Sequence, residues 1–265
     1  ELLLWKNSNY TAFPRNATLN LIRKYLKAGV MEKGLEKATT SGVPQGGPLS
    51  VVLSNVYLDK LDKELEQRGL RFTRYADDTM VFTKSEMAAN RVMKSITDWI
   101  ERKLFLKVNA TKTKVVRPTR SKYLGFTFLN HGGEWKVKPT TEKKKKLKQK
   151  LSEYLKRNKA IARPLAVTIK RVNEIVRGWI NYFRIGMMKT FMQEFGAWLR
   201  HKIRVIVIKQ WKTPKTIYRN LCYLNQKNKN GFDHEAIYKV ANSRLGWYRR
   251  SGMNVVNFII SPDLL

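Results

Sequence analysis

The chain reads as an α+β protein whose second half is purely helical and strongly basic. Two observations predict this. Up to Pro139, helical apolar spacing alternates with short runs of strand-forming residues; after it, only helical spacing remains, opening on a lysine run.

Taking the elements in order, Asn16 to Ala28 predicts a helix, with Leu19, Ile22 and Leu26 on one side and Gly29 just past its end. A polar, extended stretch leads to Ser41-Gly42-Val43-Pro44-Gln45-Gly46-Gly47-Pro48, dense in breakers. A second helix is expected from about Leu49 to Gln67, its stripe made by Leu49, Leu53, Val56, Leu61 and Leu65, with Gly69 stopping it. Strand formers at Leu70 to Arg74 and Thr79 to Thr83 flank Tyr75-Ala76-Asp77-Asp78 and predict a hairpin, the first piece of an antiparallel sheet. A helix from about Ser85 to Lys103 turns Val92, Ile96, Trp99 and Ile100 inward. Short strands are expected at Leu104 to Val108 and Lys114 to Val116. A further hairpin spans Tyr123 to Phe128 and Glu134 to Val137, joined through Asn130-His131-Gly132-Gly133.

Beyond Pro139, helices at about Thr141 to Asn158, Pro164 to Phe183 and Lys189 to Gln210 have short connections, as in an antiparallel bundle. Val172, Ile175, Val176, Trp179 and Phe183 form its expected core. A last unit begins near Lys212-Thr213-Pro214, with short helices around Lys215 to Asn225 and Asp233 to Ser243.

Composition narrows the partner. The chain has 265 residues, 43% of them hydrophobic, enough for real cores. Its 53 Lys and Arg against 20 Asp and Glu leave a charge of +33, which a polyanion would neutralise. Nucleic acid is the expected partner and a membrane surface the competing one. No apolar window of about 18 residues spans a bilayer, and the start lacks the pattern of a signal peptide. Cys222 is the single cysteine and the three histidines (His131, His201, His234) are scattered, so no disulfide or Cys-rich zinc site is expected. A reducing, intracellular setting is the corresponding expectation.

Two adjacent acids at a hairpin tip repel one another, and a bound divalent cation offsets that repulsion. Hard carboxylate oxygens suit Mg²⁺, which takes one or two of them and completes its shell with water and phosphates. The other reading of Asp77-Asp78 is an acidic β-turn. The glycine loop has the same two sides. Gly46 and Gly47 after Gln45 allow close backbone approach, with a helix N-terminus behind them to meet phosphate, or the segment is an ordinary Gly-Pro loop.

Pro44-Gln45-Gly46-Gly47-Pro48-Leu49-Ser50, followed about thirty residues later by Tyr75-Ala76-Asp77-Asp78, resembles a reverse transcriptase. The likeness continues through Leu21 to Val30, Asn55 to Asp62, Arg74 to Asp78, Asn109 to Thr113 and Lys122 to Phe126. Arg177-Gly178-Trp179-Ile180-Asn181-Tyr182-Phe183 is similar to the maturase-specific helix of the same family, the reverse transcriptase/maturases encoded by bacterial group II introns.

That resemblance implies a right-hand polymerase palm over residues 1–139, a thumb or maturase X domain over 140–211, and a small basic domain over 212–265. It implies Asp77 and Asp78 as ligands of a two-Mg²⁺ site. Gln45, Gly46, Gly47, Tyr75 and Ala76 would contact template and nucleotide. Lys112 would sit near the nucleotide phosphates as a proton donor to pyrophosphate, its alternative being a solvated lysine. Leu124 and Gly125 resemble the primer grip, a reading compatible with a structural hairpin. The implied partners are intron RNA, a DNA target, the cDNA/RNA duplex and deoxynucleotides. The implied location is the bacterial cytoplasm, and a homodimer stays open.

One departure stands out. The family's third carboxylate sits in an Asp-x-x-x-Phe-Phe strand, whereas no Asp precedes Asp59 here and the only acids of the first forty residues are Glu1, Glu32 and Glu36. By the family layout that Asp would lie just upstream of Glu1, with the fingers. The expectation is a chain that cannot extend a primer by itself, and the alternative function is an RNA-binding splicing cofactor without polymerase activity.

The run Lys143, Lys144, Lys145, Lys146, Lys148 and Lys150 leaves Leu147, Leu151 and Leu155 as an apolar edge. Its lysines form either a solvated face or a face of phosphate contacts that position a duplex. Trp211, Tyr218, Tyr223, Tyr238, Trp247 and Tyr248 are interleaved with cations, as suits RNA loops or single strands, with about half expected in the core. No His-x-x-x-Asn or paired-Cys nuclease signature follows them.

Overall fold

The computed structural model describes residues 15–32, 35–37, 48–229 and 231–262. These fall into two compact units that divide between Val116 and Arg117. Mixed helix and small antiparallel ribbons bear out the α+β expectation.

In the first unit, helix α1 (Arg15–Lys27) is followed by strands β1 (Val30–Glu32) and β2 (Leu35–Lys37), which pair with each other. Helix α2 (Pro48–Gln67) leads into strands β3 (Arg71–Tyr75) and β4 (Asp78–Phe82). Gly69, at φ +64°, makes the turn out of α2. Helix α3 (Glu86–Trp99) starts where the Ser85 side chain accepts the Ala88 N–H at 3.2 Å, and it runs on as a wider π-turn from Ile100 to Leu104. Leu61 and Leu65 of α2, Ile96 and Leu104 form the buried core, with Phe72 of β3 and Val81 of β4 packed on it. The expected stripe on α2 holds in its second half only, because Val56 is exposed.

The strands expected at 104–108 and 114–116 do not form. Phe105 turns left-handed (φ +55°) and ends the helix. Asn109 then folds the chain locally, its side chain accepting the Thr111 and Lys112 N–H groups at 3.1 Å each. Side-chain bonds of this kind compete with an extended ladder. Among the described residues the strands also make three separate two-stranded ribbons rather than one broader sheet.

The second unit opens with a 3₁₀ turn (Pro118–Arg120) and strands β5 (Phe126–His131) and β6 (Glu134–Pro139). Helices α4 (Thr141–Tyr154), α5 (Arg157–Ala160), α6 (Leu165–Phe183) and α7 (Lys189–Gln210) follow. One helix was expected through Asn158; the chain instead breaks after Tyr154, where the Arg163 guanidinium donates to the Tyr154 carbonyl at 2.5 Å. Leu147, Leu151 and Leu155 bury together with Val172 of α6 and Phe195 and Ile206 of α7, and Ile175, Val176 and Trp179 pack on them, as the spacing predicted.

Helices α8 (Pro214–Lys227), α9 (His234–Ala241), α10 (Trp247–Ser251) and α11 (Asn254–Ile259) complete the unit. Their core of Ile217, Leu221, Ile237, Val240, Val256 and Ile259 includes Ile203, Val207 and Ile208 of α7. Residues 203–208 are thus buried all round, and α7 is a wall common to two cores. Its Arg204 is 7% exposed and satisfied by the carbonyls of Ile260 and Asn257 (2.9 Å each) and by the Asn257 side chain (2.8 Å). Of the six aromatics singled out above, Trp211, Tyr218 and Trp247 pack against this core, whereas Tyr223, Tyr238 and Tyr248 are exposed, matching the expected half. Among the described residues no helix is long and apolar enough to cross a membrane.

Candidate functional site

The acidic hairpin closes more tightly than its sequence suggested. Tyr75 pairs with Asp78, so the loop is only Ala76 and Asp77, and Asp78 is already the first residue of β4. A two-residue hairpin turn needs positive φ at its first central position, and here Ala76 adopts φ +53° without being glycine. Such a conformation costs a non-glycine residue about 1 kcal/mol or more and persists only when the surroundings hold it.

Arg74 does the holding. Alternation along β3 puts Arg74 on the same face as Phe72, the face that packs toward α2. Its guanidinium forks onto Asp62 of α2 (Nε to Oδ1 2.7 Å, Nη2 to Oδ2 2.5 Å). Nη1 donates to the Asn55 side chain and to the Ala76 carbonyl, both at 2.9 Å. Asn55 and Asp62 lie two helical turns apart on one face of α2. One side chain therefore ties the turn to the helix, with three hydrogen bonds to α2 and one to the turn. Sequence reasoning missed this group; the only signal was that Asn55, Asp62 and Arg74 all fall in the resembling segments.

Asp77 and Asp78 are exposed side by side at this tip, next to Tyr75, which is 65% exposed. Among the described residues no cluster of three or more His, Cys, Asp and Glu gathers. Two exposed carboxylates still offer the hard oxygen donors, in the number, that Mg²⁺ takes from a protein. Lys112 belongs to the same unit and is exposed on the Asn109 turn. Gln45, Gly46 and Gly47 lie outside the described residues.

The second set of expected site residues is in the second unit. Tyr123 and Phe126 exchange backbone bonds of 3.0 and 2.8 Å around Leu124 and Gly125, whose φ values are +50° and +84°. That is a two-residue turn with both central residues left-handed. Tyr182 of α6 donates its hydroxyl to the Leu124 carbonyl at 2.9 Å, and the Thr140 N–H reaches the Gly125 carbonyl at 2.9 Å. A Cβ on Gly125 would lie 2.9 Å from Cε of Lys143 and 3.4 Å from Cζ of Phe183. The maturase-like motif thus supplies, through Tyr182 and Phe183, the support of this turn, a contact that sequence reasoning did not anticipate.

The lysine run divides. Lys143 lies across Gly125. Lys144 and Lys148 point back over α7, with Nζ 5.1 Å from the Phe191 ring centre and 5.2 Å from that of Trp198. Burial, and then the neighbouring Lys138, hold the Lys144 pKa below the ordinary lysine value, against a smaller pull from Glu194. Lys143, Lys145, Lys146, Lys148 and Lys150 are exposed, and Lys144 is half-buried.

Residues 4–128 match the family described as reverse transcriptase (RNA-dependent DNA polymerase), and residues 144–223 match the group II intron maturase-specific domain. A segment of the chain is 50% identical over 54 residues to the group II intron-encoded protein LtrA of Lactococcus lactis subsp. cremoris, covering 20% of this chain and 9% of that protein. Protein YkfC of Escherichia coli (strain K12) is 29% identical across 43% of this chain and 38% of its own length. The chain therefore spans well under half of the curated relatives it matches. With a reverse-transcriptase region followed in order by a maturase-specific region, the chain belongs to the group II intron reverse transcriptase/maturase family.

Proposed function

We propose that the protein copies RNA into DNA and binds the intron RNA of its own element, supporting its splicing and retromobility. The observation that carries this is the Asp77-Asp78 tip, held by Arg74 inside the reverse-transcriptase region. In this reading Asp77 and Asp78 would hold Mg²⁺, which when bound would stabilise negative charge on the reacting phosphate and make the primer hydroxyl more acidic. Lys112 gives a proton to departing pyrophosphate, a role its exposed ammonium supports, and Gln45, Gly46, Gly47, Tyr75 and Ala76 contact template and deoxynucleotide. Leu124 and Gly125 press on the primer backbone, the Tyr182 hydroxyl fixing their carbonyl side. We assign residues 1–139 to the palm, 140–211 to the thumb and 212–265 to a basic domain that meets the DNA target and the RNA. The exposed Tyr223, Tyr238 and Tyr248 there are platforms for unpaired bases.

Two carboxylates are fewer than a two-metal site uses, so residues 1–265 alone are expected to extend a primer poorly. The test is RNA-templated extension in Mg²⁺ by residues 1–265 and by the same residues preceded by an Asp-x-x-x-Phe-Phe strand. Extension by the longer protein, lost in its Asp77→Ala variant while RNA binding persists, supports the polymerase reading. Tight RNA binding with no extension by either protein favours the splicing-cofactor reading instead. Robust extension by residues 1–265 would overturn the ligand count.

A further inference from the structure

We propose that Arg74 is the positioning residue of the acidic turn: it sets the direction of Asp77 by locking the preceding peptide to α2. This rests on the reading of Asp77 as a metal ligand and adds to it the device that aims the carboxylate.

The argument is geometric. The Ala76 carbonyl, which accepts from Arg74 Nη1 at 2.9 Å, belongs to the same planar peptide as the Asp77 N–H. Fixing that oxygen fixes the plane, and the plane fixes where the Asp77 side chain leaves the backbone. The turn needs such a lock because Ala76 sits at φ +53°, a conformation an alanine leaves readily when unrestrained. The lock itself is stiff. Arg74 and Asp62 side chains are only 11% and 25% exposed and meet bidentately, the arrangement in which a guanidinium loses least freedom per bond. Asn55 takes the remaining direction of Nη1 at 2.9 Å. A lysine keeps the charge but cannot bond Asp62, Asn55 and Ala76 in one plane. Arg74, Asp62 and Asn55 therefore act on the metal through Asp77, without touching it.

Arg68 is a built-in control. It too joins α2 to a neighbouring element, donating to Glu64 at 2.7 Å and to Ser95 of α3 at 2.8 Å, on a different part of the same unit. The experiment is a Mn²⁺ titration of the full chain followed by electron paramagnetic resonance, run without nucleotide or duplex because their phosphates hold Mn²⁺ themselves, with primer–template duplex affinity measured separately. Asp77→Asn calibrates the site by abolishing the bound signal. Arg74→Ala, Arg74→Lys and Asp62→Asn are expected to raise the Mn²⁺ dissociation constant about 10- to 100-fold, with the duplex affinity unchanged and Arg68→Ala like wild type. Arg74→Lys and Asp62→Asn keep side-chain volume close to the original, so they answer the question if Arg74→Ala does not fold. Wild-type Mn²⁺ binding in both Arg74→Lys and Asp62→Asn, with Asp77→Asn inactive in binding, overturns this proposal alone. An equal loss in Arg68→Ala also overturns it, since the effect is then general loosening. Unchanged binding in Asp77→Asn removes the metal reading itself.

Discussion

Gly125→Ala isolates how much the turn at Leu124-Gly125 depends on what lies over it. An added Cβ has two consequences. At φ +84° an L side chain is strained, at about 1–2 kcal/mol. It also meets Lys143 Cε at 2.9 Å and Cγ at 3.2 Å, with Phe183 Cζ at 3.4 Å. The Phe183 contact is ordinary; the lysine stem must move, and crowding of this kind costs about 1 kcal/mol. Gly133 supplies the comparison, because it has φ +82° in the β5–β6 turn of the same unit and nothing within 4 Å of its Cβ position. Gly133→Ala should thus show the strain alone, and Gly125→Ala should unfold about 2–4 °C lower than it. Adding Lys143→Ala to Gly125→Ala should recover that difference, a coupling of about 1 kcal/mol in a double-mutant cycle. Thermal unfolding of wild type, Gly133→Ala, Gly125→Ala, Lys143→Ala and the Gly125→Ala/Lys143→Ala double variant decides the matter. If Gly125→Ala melts with Gly133→Ala, or if Lys143→Ala recovers nothing, the lysine stem does not pack on the turn as described.

Neutralising Lys145, Lys146 and Lys150 to Gln should reduce the slope of log K against log salt for RNA binding by about 3. Lys144→Ala and Lys148→Ala should act mainly on stability, losing about 0.5–1 kcal/mol each of contact with the Phe191 and Trp198 rings; a full slope change in these two and none in the first three would refute the division. His201 is pulled below its ordinary pKa by burial, then by Arg204 and Lys202, against a hydrogen bond it donates to the Tyr248 carbonyl. Its folded pKa lies below its unfolded one, so the unfolded chain takes up the proton first as pH falls. Stability is then full above about pH 6.5 and declines as pH drops toward the lowered value. Denaturant titrations across that window should show the decline, and His201→Gln should flatten it; an unchanged decline would place its origin elsewhere.

Much of the fold was legible because it follows from local rules. The apolar spacing of α3, α6 and α7 and the turn residues at 76–77 and 132–133 mark their elements within a few residues, whereas the strand expected from Tyr123 begins only at Phe126, after the turn at Leu124-Gly125. Where local chemistry competed, reading failed: Asn109 drew its own backbone into a turn where two strands were expected. The short helices α10 and α11 carry too few residues to show a period; burial of Val256 and Ile259 and the Arg204 bonds to Asn257 hold the latter in place.

By itself the sequence determined the chemistry available to this protein: two adjacent carboxylates between strand formers, a glycine loop, a charge of +33 and a motif order that assigns the family. Only the tertiary structure decided which side chains act together. Arg74 reaches Asp62 and Asn55 twelve and nineteen positions away because β3 folds back along α2. Tyr182 reaches Leu124 fifty-eight positions away because α6 packs against the turn. The six lysines, alike in sequence, differ in what they meet because one face of α4 lies against the aromatic rings of α7, over which Lys144 and Lys148 extend. Composition and spacing record what each residue can do. Which of them meet is set by the packing of apolar faces that lie far from those residues in the chain.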